Sequence, residues 1–126
     1  MPSLAARLKY RRIVIVEDDM LVKAYLEKAL SDAGAVVVRS FDRKIDAAIL
    51  DVRLGGGVSS VPIAISLDLK GIPFMFYTGY ADTLGPTLKS RWPDCKVVPK
   101  PSPANMLVEA VASVLKTRVS APLHVG

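Results

Sequence analysis

Four short apolar runs in this chain each end in a residue suited to phosphate or metal chemistry. Ile13 to Val16 leads into Glu17, Asp18 and Asp19. Ala47 to Leu50 leads into Asp51, Pro73 to Tyr77 into Thr78, and Val97 to Pro99 into Lys100. An acidic cluster, a lone carboxylate, a hydroxyl and an amine are parts that can hold a divalent cation and a phosphoryl group. They meet only if the runs are parallel strands, because an open parallel sheet binds ligands at the carboxyl ends of its strands. Phosphoryl transfer asks for positioning and charge neutralisation more than for covalent work. A carboxylate nucleophile such as Asp51 is one route to an aspartyl phosphate. Mg2+ takes one or two carboxylates and keeps several waters, which suits a sparse acidic cluster. Without a cation or the lysine, the clustered carboxylates would repel.

Each residue alone has a plainer reading. Acids favour a helix N-terminus because of the macrodipole. Asp51 could be a turn residue ahead of the Gly55–Gly57 loop, and Thr78 an ordinary turn residue before Gly79. Their ordered recurrence at four strand ends favours the site. Lys100 stands between Pro99 and Pro101, unusual for a core strand and fitting for a side chain that reaches into a pocket. Gly55, Gly56 and Gly57 lack the Gly-Lys-Ser/Thr ending of a nucleotide loop and read as a flexible loop beside the site. Cys95 and Trp92 read as packing residues, and His124, the only histidine, is assigned no role.

The elements that must position these residues alternate. The pattern predicts strands over 12–16, 35–39, 47–51, 72–77 and 96–99. The first helix should start near Met20 with Asp18 or Asp19 as its cap. It would bury Leu21, Val22, Tyr25, Leu26, Ala29 and Leu30 and stop at Gly34. A second helix is expected over 59–69, with Pro62 in its first turn and Gly71 as its stop. Residues 82–92 suggest a short helix interrupted at Gly85-Pro86. In the last helix Ser102 should cap and Pro103 take the first helical position, with Leu107, Val108, Val111, Val114 and Leu115 buried. Such alternation implies a parallel sheet with helices on both faces. One step is too short: only Phe41 to Asp46 join the second and third strands, where a parallel crossover usually takes a dozen residues. A helix there is missing or reduced to a turn. A protein partner or a homodimer contact would then cover the exposed sheet face.

The bulk numbers bound the rest. At 126 residues, 51% of them hydrophobic, the chain suits one well-filled domain. No apolar stretch is long enough to span a bilayer, and Met1 to Arg12 has no signal-peptide core. One cysteine allows no internal disulfide, which fits a cytoplasmic setting. The net charge is +5. Part of it lies in a basic arm, residues 1–11, which reads as a solvated, frayed terminus; no DNA-binding motif follows, and no direct DNA or membrane binding is expected. Residues 12–118 form the expected domain and 119–126 a flexible tail.

With Glu17-Asp18-Asp19, Asp51, Thr78 and Lys100-Pro101 in that order, residues 12–116 resemble the receiver domain of bacterial two-component response regulators. Phe76-Tyr77-Thr78-Gly79-Tyr80 is similar to the Phe-x-Thr-Gly-Tyr stretch of a single-domain receiver subgroup, and the chain has no room for an output domain. The resemblance implies a doubly wound, five-stranded α/β sheet of flavodoxin-like order 2-1-3-4-5. It implies that Asp51 accepts a phosphoryl group from a histidine kinase or a histidine phosphotransfer protein, and that a downstream protein reads the result. Mg2+ would be held by Asp18, Asp51 and the backbone carbonyl of Arg53, with Glu17 acting through water. Thr78 and Lys100 would each bond a phosphoryl oxygen. The chain would be a signalling phosphoacceptor rather than an enzyme.

Three departures stand out. Val97 occupies the position, three residues before the lysine, where many receivers carry Tyr or Phe, so Tyr80 is the candidate signalling aromatic. Arg53, two residues after Asp51, could shield the phosphoryl group or pair with it. The third is the short connection. Together they motivate an alternative: a degenerate receiver that binds a protein independently of phosphorylation. A phosphohydrolase would want a second acid where Arg53 lies.

Overall fold

A computed structural model describes residues 6–41 and 44–120, with side chains through residue 116. The elements are β1 (Arg12–Val16), α1 (Met20–Asp32), β2 (Val36–Val38), β3 (Ala47–Leu50), α2 (Val61–Leu69), β4 (Phe74–Thr78), α3 (Ala81–Arg91), β5 (Lys96–Pro99) and α4 (Ala104–Ser120). The five strands form one parallel sheet of order β2-β1-β3-β4-β5. That is the expected doubly wound architecture.

The strands divide their side chains between two layers, as the two-residue strand period requires. Ile13, Ile15, Ile49, Met75 and Tyr77 face Leu26 and Leu30 of α1 and Leu107, Val108 and Val111 of α4. Val14, Ala48, Leu50, Phe74 and Phe76 face Ala64 and Leu67 of α2 and Leu88 of α3. All four residues of β3 are buried, as expected of a central parallel strand. Trp92 packs edge-on to Phe74, with ring centroids 5.3 Å apart, in keeping with its reading as a packing residue. Burial pushes the Cys95 thiol up from its ordinary value, against a smaller opposing pull from Lys89.

The connection from β2 to β3 carries no helix among its described residues, and β2 still pairs parallel to β1. The extended crossover is therefore the arrangement adopted. Its end is fastened to β1: the Arg12 N–H donates to Asp46 Oδ2 at 2.8 Å, the Asp46 N–H to the Arg12 carbonyl at 2.8 Å, and Arg12 Nε to the Lys44 carbonyl at 2.8 Å. Ile45 turns into the α2/α3 layer and is buried there.

Four expectations need correction. The described part of the arm, residues 6–11, is not frayed. Leu8 lies in the core, its N–H donates to the Ala33 carbonyl at 2.8 Å, and Arg7 forms a two-pronged pair with Glu109 of α4. One apolar side chain with a backbone partner outweighs the solvation of its basic neighbours. Leu21 and Tyr25 are exposed, at 83% and 42%, because the buried stripe of α1 runs through Leu26, Ala29 and Leu30 instead. Gly85-Pro86 does not interrupt α3, which runs through both residues. Proline in a helix interior forfeits one hydrogen bond, and the packing of Leu84 and Leu88 offsets that loss. Ser102 does not cap α4. Its hydroxyl donates to the Pro99 carbonyl at 2.7 Å, and the Pro103 carbonyl accepts the first helical bonds. Gly34 and Gly71 do take positive φ after α1 and α2. The tail beyond residue 120, with His124, lies outside the described residues.

Candidate functional site

The sheet order places β1 and β3 side by side while the chain departs from them toward opposite edges. Ligands of doubly wound sheets bind in the crevice at such a switch point. Glu17 follows β1, Asp51 follows β3, Thr78 ends β4 and Lys100 follows β5. The structure brings all four together at the carboxyl edge. Glu17 is 9% exposed, Asp51 8% and Thr78 0%.

Lys100 joins the two buried carboxylates. Its ammonium donates to Glu17 Oε1 at 2.6 Å and to Asp51 Oδ2 at 3.1 Å. Burial alone would lower the Lys100 pKa, but the hydrogen bonds and charges of Glu17 and Asp51 outweigh it and hold the ammonium above its ordinary value. The other Glu17 oxygen accepts the Asp19 N–H at 3.0 Å, which fixes the carboxylate from both sides.

The three consecutive acids divide their work. Asp19 Oδ1 accepts from the N–H groups of Leu21 and Val22 and caps α1. Glu17 and Asp18 turn toward Asp51, and each of the three carboxylates offers one oxygen within 4.8 Å of the others. Asp18 is exposed, and its Oδ2 accepts the Gly55 N–H. Three carboxylates thus face one ammonium. Hard oxygen donors carrying surplus negative charge fit a small divalent cation such as Mg2+.

Thr78 and Arg53 both connect to Tyr80. Thr78 Oγ1 accepts the Tyr80 N–H at 3.1 Å, at the start of α3. The Arg53 guanidinium lies over the Tyr80 ring, 4.7 Å from its centroid. The loop after β3 is braced by an antiparallel bridge between Arg53 and Ser59.

Sequence reasoning missed the support beneath Lys100. The buried Tyr77 hydroxyl accepts the Ser102 N–H at 3.2 Å, and Lys100 Nζ lies 5.7 Å from the Tyr77 ring centroid. The Tyr25 hydroxyl donates to the Ser102 carbonyl at 2.9 Å. Both tyrosines sit in apolar patterns that read as core. Their hydroxyl partners lie 25 and 77 residues away, so no local spacing could reveal them.

No protein-family model matches the chain, and no curated protein matches it in sequence. Solved structures do match in fold. A CheY-like response regulator receiver domain protein from Methanospirillum hungatei JF-1 has a TM-score of 0.74 at 19% identity, over 88% of this chain and 98% of that one. A response regulator receiver protein from Sinorhizobium medicae WSM419 gives 0.71 at 22% identity, with the same coverage. The signal receiver domain of a modulated diguanylate cyclase from Desulfovibrio desulfuricans G20 gives 0.75 at 24% identity, again over 88% and 98%. The chain has the fold of a response regulator receiver domain.

Proposed function

We propose that this receiver-fold chain is the phosphoacceptor of a two-component phosphorelay. It takes a phosphoryl group onto Asp51 from the histidine of a kinase or phosphotransfer protein and signals through protein contacts. The observation that carries this reading is the Lys100 ammonium shared between Glu17 and Asp51, beside buried Thr78, at the switch point of the sheet.

In the proposed reaction an Asp51 carboxylate oxygen attacks phosphorus. The bond between phosphorus and the donor's imidazole nitrogen breaks, and the nitrogen keeps the electron pair. Lys100 already touches the Asp51 oxygen and follows the charge as it moves onto the phosphoryl oxygens. The Thr78 hydroxyl is free to donate, because Oγ1 serves Tyr80 only as acceptor. Mg2+, held by Asp18, Asp51 and the Arg53 carbonyl with Glu17 acting through water, would neutralise charge on the transferring group. The low-dielectric crevice strengthens each of these interactions.

The lack of a helix among the described residues of the β2–β3 connection is the feature that favours a phosphorylation-independent binding module. That module has no use for a buried lysine shared by two carboxylates. The test is stepwise addition of Mg2+ and then beryllium fluoride, a phosphoryl mimic, followed by amide NMR. The expected result is shifts at residues 17, 18, 51, 53, 78 and 100, with the second step dependent on the first. No response at either step would leave the binding module as the better account.

A further inference from the structure

The triglycine run has no role in the chemistry above, yet its first residue reaches the cation cluster. Gly55 to Gly57 form one short 3-10 turn. Leu54 donates its N–H to the Val58 carbonyl at 2.8 Å, and Arg53 bridges to Ser59, so the turn is held at both ends. From it the Gly55 N–H donates to Asp18 Oδ2, across the crevice between the loop after β3 and the residue after β1.

The three glycines serve different purposes. Gly56 and Gly57 have φ of 71° and 77°, and a Cβ on either would meet no described atom within 4 Å. They are needed for backbone conformation. Gly55 is not in that region. A Cβ on Gly55 would lie 2.6 Å from Asp18 Oδ2, closer than two such atoms can stand. A side chain on Gly55 would make the Asp18 carboxylate turn away, so the missing Cβ is what lets Oδ2 stay on the Gly55 N–H.

Asp18 needs such a partner. Lys100 fixes Glu17 and Asp51, whereas Asp18 is exposed and lies outside that ion pair. A free carboxylate loses rotamer entropy when a cation captures it. Hydrogen bonds to a ligating carboxylate orient it before the metal arrives.

We infer that Gly55 is a positioning residue for the cation site: its N–H holds Oδ2 of Asp18, and its missing Cβ leaves Oδ1 free to serve as the ligand. The inference rests on reading Glu17, Asp18 and Asp51 as that site.

Calorimetric titration of the whole chain with Mg2+ tests it. Loss of a partner to a metal ligand typically costs tenfold or more in affinity. Gly55→Ala is expected to weaken Mg2+ binding by about tenfold. Gly56→Asn, which tolerates positive φ and adds its side chain away from Asp18, is expected to bind as the parent does. Equal or tighter binding by Gly55→Ala overturns the inference, as does an equal loss in Gly56→Asn, which would place the effect in loop strain. If the parent binds no Mg2+, the cation-site reading itself falls and takes the inference with it. Should Gly55→Ala fail to fold, Asp18→Ala answers with the loop sequence intact. The Gly55 amide proton resonance should then move upfield while that of Gly57 stays. An unmoved Gly55 resonance overturns the inference.

Discussion

Asp51 carries a carboxylate into a crevice where it must share the Lys100 ammonium with Glu17, with the Asp18 carboxylate close by. The arrangement suits phosphoryl chemistry and strains the resting protein, since like charges at short range in a poorly solvated site repel. Asp51→Asn removes one charge and keeps the shape. Without divalent cation it is expected to raise the thermal midpoint by a few degrees, about 1 kcal/mol. Added Mg2+ should narrow the gap by stabilising the parent more. Calorimetry with and without Mg2+ checks both signs. A lower midpoint for Asp51→Asn in cation-free buffer would show that the Lys100 bond matters more than the repulsion.

Lys100 gives a pH dependence of definite sign. Its folded-state pKa lies above the ordinary lysine value of 10.5 because its bonds to Glu17 and Asp51 outweigh burial. The folded state therefore holds the proton more tightly than the unfolded chain. The resulting stability is fully present below about 10.5. It is lost as pH rises through the raised folded value. Denaturant unfolding at pH rising from about 10 upward should show the parent losing stability more steeply than Lys100→Gln. Parallel curves would contradict the shared ion pair. The polar residues at the strand ends were legible in the sequence because each interrupts an apolar run. Tyr77 was not, since only its ring suits the pattern and its hydroxyl acts on a distant loop.

At the scale of elements, the first turn of α3 hangs on β4. Tyr80 gives its N–H to Thr78 and its ring to Arg53, so both residues hold Tyr80. This offers an output route where Val97 cannot supply a switching aromatic. Thr78→Val keeps the volume and deletes the acceptor. A lost hydrogen bond is worth about 1 kcal/mol, so amide exchange at Tyr80 should quicken about fivefold while the β4 amides keep their protection. Unchanged exchange at Tyr80 would mean that α3 does not depend on Thr78. Strand and helix positions followed from the two apolar periods. Local punctuation misled at Gly85-Pro86 and at Ser102. There packing of Leu84 and Leu88, and a bond from Ser102 back to Pro99, prevailed over the residues' usual habits.

The whole molecule is a doubly wound sheet that lacks a helix in the described part of one crossover. The alternation of elements implied a parallel sheet, and the family resemblance supplied the strand order. Neither could say how so few residues cross between strands. The answer lies in Ile45 entering the core and in Asp46 and Lys44 bonding to Arg12, 34 and 32 residues away, which leaves no local mark. Lining the side of α2 nearest this connection, Phe41, Ile63, Leu67 and Ile72 border a shallow hollow.

The most direct test of the phosphoacceptor reading is intact mass after incubation with Mg2+ and acetyl phosphate, run beside Asp51→Asn. The account predicts one added phosphoryl group in the parent, dependent on Mg2+, and none in the variant. Equal addition to both chains would contradict Asp51 as the acceptor.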